Sequence, residues 1–77
     1  MNRTDHPQLL DGNNLRRLRH DNGWTLEDLA HTTGLSVSFL NDLEHSRSNG
    51  SIVTLVRICH ALHCDPADIL HLDHAHV

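Results

Sequence analysis

An all-α fold is predicted for this chain, a compact domain of five short helices, and three observations predict it. Leucine supplies 13 of the 77 residues, while the chain has one Trp, one Phe and no Tyr. That composition suits packed helices better than a sandwich or barrel. Apolar residues recur at helical spacing through most of the sequence. The breaks between those stretches carry Thr, Ser, Asp and Gly where helices start and stop. A chain of this length is one domain at most. It buries only about 60% of its unfolded surface, so the margin of stability is thin.

The elements follow in order. Residues 1–8 are polar and are expected to form a flexible N-terminal arm. Leu15 and Leu18 share a face of an Arg-rich stretch that reads as a first helix ending before Gly23. Thr25 is the N-cap of a second helix that runs to Thr33, with Asp28 as the capping-box partner. Trp24 and Leu29 fall at the hydrophobic staple positions of that helix, so Trp24 is expected to pack. Gly34 sits where a left-handed residue ends a helix. Ser36 caps a third helix, in which Leu40 and Leu43 face inward and Val37, Ser38, Asn41 and Asp42 face outward. Phe39 has two readings, packed beside the fourth helix or turned outward against a ligand. Residues 46–50 read as a loop. Ser51 caps the fourth helix, whose core positions are Ile52, Leu55, Val56, Ile58, Cys59 and Leu62. Asp65 and Pro66 open a fifth helix with Ile69, Leu70 and Leu72 as its apolar residues. The domain thus spans 9–72, and residues 73–77 form a His-rich tail.

Several function classes are disfavoured. No apolar run approaches the ~18 residues of a membrane span, and no apolar segment follows the N-terminus as in a secretory signal. A cytoplasmic location is expected. A core this small leaves little room for a catalytic pocket of about 300–1,000 Å³, and no nucleophile–base pair or Gly-rich phosphate loop is visible, so no enzyme and no cofactor are expected. Cys59 and Cys64 are two thiols of a cytosolic type and do not make a disulfide framework.

Charge is the awkward feature. All six cations are Arg, there are ten acids, and the net charge is −4 with His neutral. Protonating the nine histidines would reverse that sign. The strongly basic footprint usual in nucleic-acid binders is absent.

Two helices joined by a tight Gly-containing turn form a helix-turn-helix. Here they are Thr25 to Thr33 and Ser36 to His45. Ala30 and Gly34 supply the small residues at the junction, and Leu26, Leu29, Leu35, Leu40 and Leu43 lock the pair. The ordered series Leu15-Arg16-Arg17-Leu18-Arg19, Gly23-Trp24-Thr25, Leu29-Ala30, Gly34-Leu35-Ser36, Leu40, Leu43-Glu44, Ile52, Leu55 and Ala61-Leu62 resembles the Cro/repressor (Xre-like) helix-turn-helix family over residues 12–72. The loop from Arg47 to Ile52 and the fourth helix also resemble restriction–modification controllers and compact phage repressors.

The resemblance implies a lambda-repressor-like fold and a homodimeric transcriptional regulator on a palindromic double-stranded DNA operator. Val37, Ser38, Asn41 and Asp42 match positions that face base edges. Asn pairs with adenine, Ser suits either base, Asp accepts from cytosine N4, and Val touches a thymine methyl. Thr25 and the amides beside it match a phosphate anchor. Arg47, Ser48 and Asn49 match a loop along the DNA backbone. Arg19 and Glu44 match a structural ion pair. Ile69, Leu70 and Leu72, with part of the fourth helix, are the expected dimer interface. The chain departs from the family at Leu26, where Gln is frequent. Residues 25–45 also hold four acids, Glu27, Asp28, Asp42 and Glu44, and no Arg or Lys. Cations supply most phosphate affinity, so a modest affinity per monomer and a shallow salt dependence are expected.

Two other readings stand beside this one. The acidic helix pair suits a protein-interaction module, such as an antitoxin or antirepressor, and a protein antagonist is a possible partner. A metal- or pH-responsive regulator is the other. Cys59 with His63, and His60 with Cys64, share helix faces, and His71, His74 and His76 cluster in the tail. Cys59 nevertheless reads as a small core residue, His60 and His63 as exposed polar positions, and no metal is expected.

Overall fold

Helix α1 spans Gly12–Asp21, α2 Leu26–Thr33, α3 Val37–Glu44 and α4 Ile52–Leu62. A computed structural model describes residues 10–70. The expected arm and tail, residues 1–8 and 73–77, and with them Leu72, lie outside the described residues.

Each helix starts where a side-chain oxygen meets the orphan amides of its first turn. Asp11 accepts from the Asn14 amide at 3.2 Å, Ser36 from Phe39 at 3.0 Å, and Ser51 from Thr54 at 3.1 Å. At α2 the capping box is complete. The Thr25 hydroxyl accepts from the Asp28 amide at 3.1 Å, and the Thr25 amide donates to the Asp28 carboxylate at 2.9 Å. Such caps are worth about 1 kcal/mol each. Gly34 ends α2 at φ +77°, with its amide donating to the Ala30 carbonyl at 2.8 Å. That backbone conformation is what lets α3 turn back across α2.

The core is drawn from every element. Leu10, Leu15, Leu29, Leu40, Leu43, Ile58 and Ile69 are fully enclosed, and Leu55, Cys59 and Leu62 extend the cluster along α4. Trp24, Leu26, Leu35 and Phe39 are half-buried and pack against it. Gly12 marks the closest approach of α1 to α3. A Cβ there would lie 2.5 Å from the Leu43 carbonyl oxygen and 2.6 Å from that of Glu44.

Two expectations are corrected. The fifth helix is a single 3-10 turn, Pro66–Asp68. The Asp65 start is present, with its amide donating to the Asp68 carboxylate at 3.0 Å. A longer helix does not form at this point because Ile69 leaves helical geometry, at φ −120° and ψ 10°, and turns into the core. Its carbonyl accepts the Asp11 amide at 2.7 Å, and Leu70 forms an antiparallel bridge with Leu10. The Asn14 side chain, donating to the Asp68 carbonyl, adds a third tie between the two ends of the described chain.

The second correction concerns α4. Ile52 and Val56 are 65% and 43% exposed, so neither is core. The buried stripe is Leu55, Ile58, Cys59 and Leu62. Val56 lies about 100° round the helix from Leu55, and Ile52 lies on the same flank. With Val53 also exposed, the N-terminal half of α4 leaves an apolar surface uncovered.

Cys59 is buried, and burial first, then its contact with the Cys64 thiol, pushes its pKa up to about 12. Burial raises that of Cys64 as well. The folded state therefore holds thiol protons that the unfolded chain releases above about pH 8.5. Stability contributed by the neutral thiols is intact below that pH and is lost as pH rises toward 12. The chain has no Lys or Tyr to titrate in this interval. Urea titrations between pH 8.5 and 11.5 should thus show falling stability in wild type and a flatter profile in Cys59→Ala/Cys64→Ala.

Candidate nucleic-acid interface

Helices α2 and α3, with Gly34 between them, place one face of α3 outward. Val37 and Ser38 are exposed in its first turn, and Asn41 and Asp42 are half-buried one turn later. Residues four apart stack along a helix face, so Val37 lies over Asn41 and Ser38 over Asp42. Leu40, Leu43 and Glu44 occupy the opposite, buried side. The four residues expected to meet base edges therefore share one surface.

Glu44 is held inside by Arg19. The guanidinium Nε donates to one carboxylate oxygen at 2.6 Å and Nη2 to the other at 3.0 Å, while Nη1 donates to the Trp24 carbonyl at 2.8 Å. Both side chains are buried. The hydrogen bond to Glu44 raises the Arg19 pKa further above its ordinary value, against the opposing effect of burial. The expected structural ion pair is thus formed. It fixes α1, the α1–α2 turn and α3 to one another.

The acidity of residues 25–45 looks different once the partners are known. Glu44 is neutralised by Arg19, the Asp28 carboxylate is bonded to the Thr25 amide, and Asp42 faces Arg47. Glu27 remains exposed. Thr25 reaches the surface, but Asp28 already occupies the amide expected to anchor a phosphate. The acids' local partners could not be read from their number alone.

The loop after α3 brings Arg47 back beneath it. Ser46 adopts φ +60°, the Arg47 amide donates to the Asp42 carbonyl at 2.8 Å, and Arg47 Nε donates to Asp42 Oδ1 at 3.1 Å. Asn49 is exposed and Ser48 half-buried on the same loop. Sequence reasoning missed the Asp42–Arg47 tie, because a five-residue separation across a helix end follows no helical pairing rule. It also missed Asp11 and Gly12, although Asp-Gly-Asn-Asn before Leu15 is a readable helix start.

The expected dimer residues divide. Ile69 is fully enclosed and is a core residue, unavailable to a partner, because the bridge at Leu70 draws it inward. Leu70 is half-buried and packs on the core. The exposed apolar surface is instead at Ile52, Val53 and Val56. Among the described residues, no three His, Cys, Asp or Glu side chains form a metal-binding group, and no helix is long and apolar enough to cross a membrane.

The chain resembles known proteins over most of this structure. A family model described as the Cro/C1-type HTH DNA-binding domain matches residues 14–74. The HTH-type transcriptional regulator y4dJ of Sinorhizobium fredii, itself uncharacterised, is 38% identical over 53 residues, 69% of each chain. Two further HTH-type regulators are longer proteins, of which this chain spans 32% and 27%. Among solved structures, the restriction-modification controller protein C.AhdI from Aeromonas hydrophila superposes with a TM-score of 0.72 at 33% identity, covering 74% of this chain and 86% of that one. SinR, a master regulator for biofilm formation solved in complex with DNA, superposes with a TM-score of 0.71 at 25% identity, covering 75% and 94%. The capped helix pair, the free outer face of α3 and a family match across most of the sequence place this chain in the Cro/C1-type helix-turn-helix family of DNA-binding transcriptional regulators.

Proposed function

We propose that the chain is a sequence-specific regulator that binds double-stranded DNA as a homodimer on a palindromic operator. The observation that carries this reading is the outer face of α3, where Val37, Ser38, Asn41 and Asp42 are clear of the core that buries Leu40, Leu43 and Glu44. A helix presented in this way fits the major groove, and a two-fold dimer places two such helices one DNA turn apart. Ser48 and Asn49 then run beside the sugar–phosphate backbone. Leu70 and the exposed Ile52, Val53 and Val56 are the residues offered to a second copy, since uncovered apolar surface favours association.

Selection from a random duplex DNA pool tests the reading. Wild type should enrich a palindrome, and Ser38→Ala/Asn41→Ala should lose that enrichment while its melting temperature stays within a few degrees. Each lost base contact is worth about 1–3 kcal/mol. No enrichment by wild type at low salt would sink the proposal.

The apolar surface of α4 favours a second reading, in which a protein partner is the principal ligand. That role should survive Ser38→Ala/Asn41→Ala and fail when Val53 and Val56 become Ser.

A further inference from the structure

Arg47 is the only Lys or Arg between Arg19 and Arg57, and so the only one in the helix-turn-helix or the loop that follows it. Its backbone and one nitrogen of its side chain are bonded to Asp42. The backbone at Ser46 turns left-handed, the Arg47 amide bonds the Asp42 carbonyl, and Asp42 Oδ1 takes Nε at 3.1 Å. Among the described residues neither Nη1 nor Nη2 has a hydrogen-bond partner, and the side chain is 58% exposed. Only one oxygen of Asp42 is engaged. The pair therefore presents two donors from Arg47 beside one spare acceptor from Asp42, which shares a helix face with Ser38.

That pattern complements one base pair. In the major groove a G·C pair shows two acceptors, guanine N7 and O6, followed by one donor, cytosine N4. The other base pairs do not offer that order. A phosphate is a poorer match, because the adjacent carboxylate offsets the Arg47 charge that would attract it. Resting on the DNA-reading function above, we infer that Asp42 and Arg47 act as a unit that selects one G·C pair in each operator half-site. Arg47 makes the guanine contact. Asp42 positions it by holding Nε, and its spare oxygen accepts from cytosine N4.

The test is quantitative selection from random duplex DNA with wild type, Asp42→Ala, Arg47→Lys and Arg47→Ala. Both side chains are exposed enough for the variants to keep the fold, and a thermal melt checks this. Arg47→Lys keeps the charge but not the planar pair of donors. The expected result is that all three variants lose a guanine preference at the same half-site position, by roughly 5- to 150-fold, with other positions unchanged. The inference is overturned if Asp42→Ala raises affinity for all sequences alike with base preferences intact, which would make Asp42 a mere repulsive charge. It is also overturned if Arg47→Ala weakens every sequence equally and lowers the salt slope by about one, the signature of a phosphate contact. Should wild type itself enrich nothing, the DNA-reading function fails and this inference with it. Enrichment with an unmoved guanine preference sinks only the inference.

Discussion

Replacing Glu44 with Gln is expected to cost the fold about 3–5 kcal/mol, a large share of the ~4–12 kcal/mol that a domain of this size has. The cost arises from what is left behind. Arg19 would keep its full charge in a nearly dry site, with a neutral amide in place of the carboxylate that receives Nε and Nη2. Arg19→Lys should also destabilise, since an ammonium cannot serve both Glu44 oxygens and the Trp24 carbonyl in the same geometry. The exposed Arg17–Asp21 pair at 3.3 Å is the control. Breaking it should change stability by no more than about 0.5 kcal/mol. Equal losses at the two pairs in urea titrations would remove Arg19–Glu44 from its place as the central tie.

Gly12→Ala should destabilise by about 3 kcal/mol, at the upper end of the overpacking range. The sign runs against helix propensity, which favours Ala over Gly by up to about 1 kcal/mol. Packing decides it. The new methyl would meet two carbonyl oxygens and a carbonyl carbon of α3, all backbone atoms that no rotamer change can move. Helix α1 would have to lift away from α3 and strain the nearby Arg19–Glu44 bridge. Asn13→Ala, one residue later on an exposed position, should stay within about 0.5 kcal/mol of wild type. A Gly12→Ala protein as stable as wild type would mean that α1 and α3 do not approach as closely as the structure has them.

Local rules make much of this fold legible in the sequence. Thr25, Gly34, Ser36 and Ser51 sit at helix ends because capping depends on a few neighbouring residues. The outer face of α3 is legible for the same reason, since Leu40 and Leu43 fix which side goes inward. Features that depend on distant residues are not. Ile69 reads as a surface apolar residue until Leu10 and Asp11 are seen to draw it in. Ile52 and Val56 read as core because α4 is apolar nearly all round, and periodicity cannot say which stripe the neighbouring helices cover. Arg19 and Glu44, 25 residues apart, are paired in the sequence only through the family resemblance. The Asp42–Arg47 unit needed the left-handed turn at Ser46, which no residue preference announces.

The clasp between the two ends of the described chain has a consequence for biosynthesis. Leu10 is among the first core residues to be made, yet the backbone that pairs with it belongs to Leu70, among the last. Ile69, which fills the core and receives the Asp11 amide, is equally late. At ~5–20 residues per second, the nascent helices wait several seconds with that part of their core open. Closure of this domain is therefore a late, cooperative event, completed only once the segment containing Ile69 and Leu70 has left the ribosome.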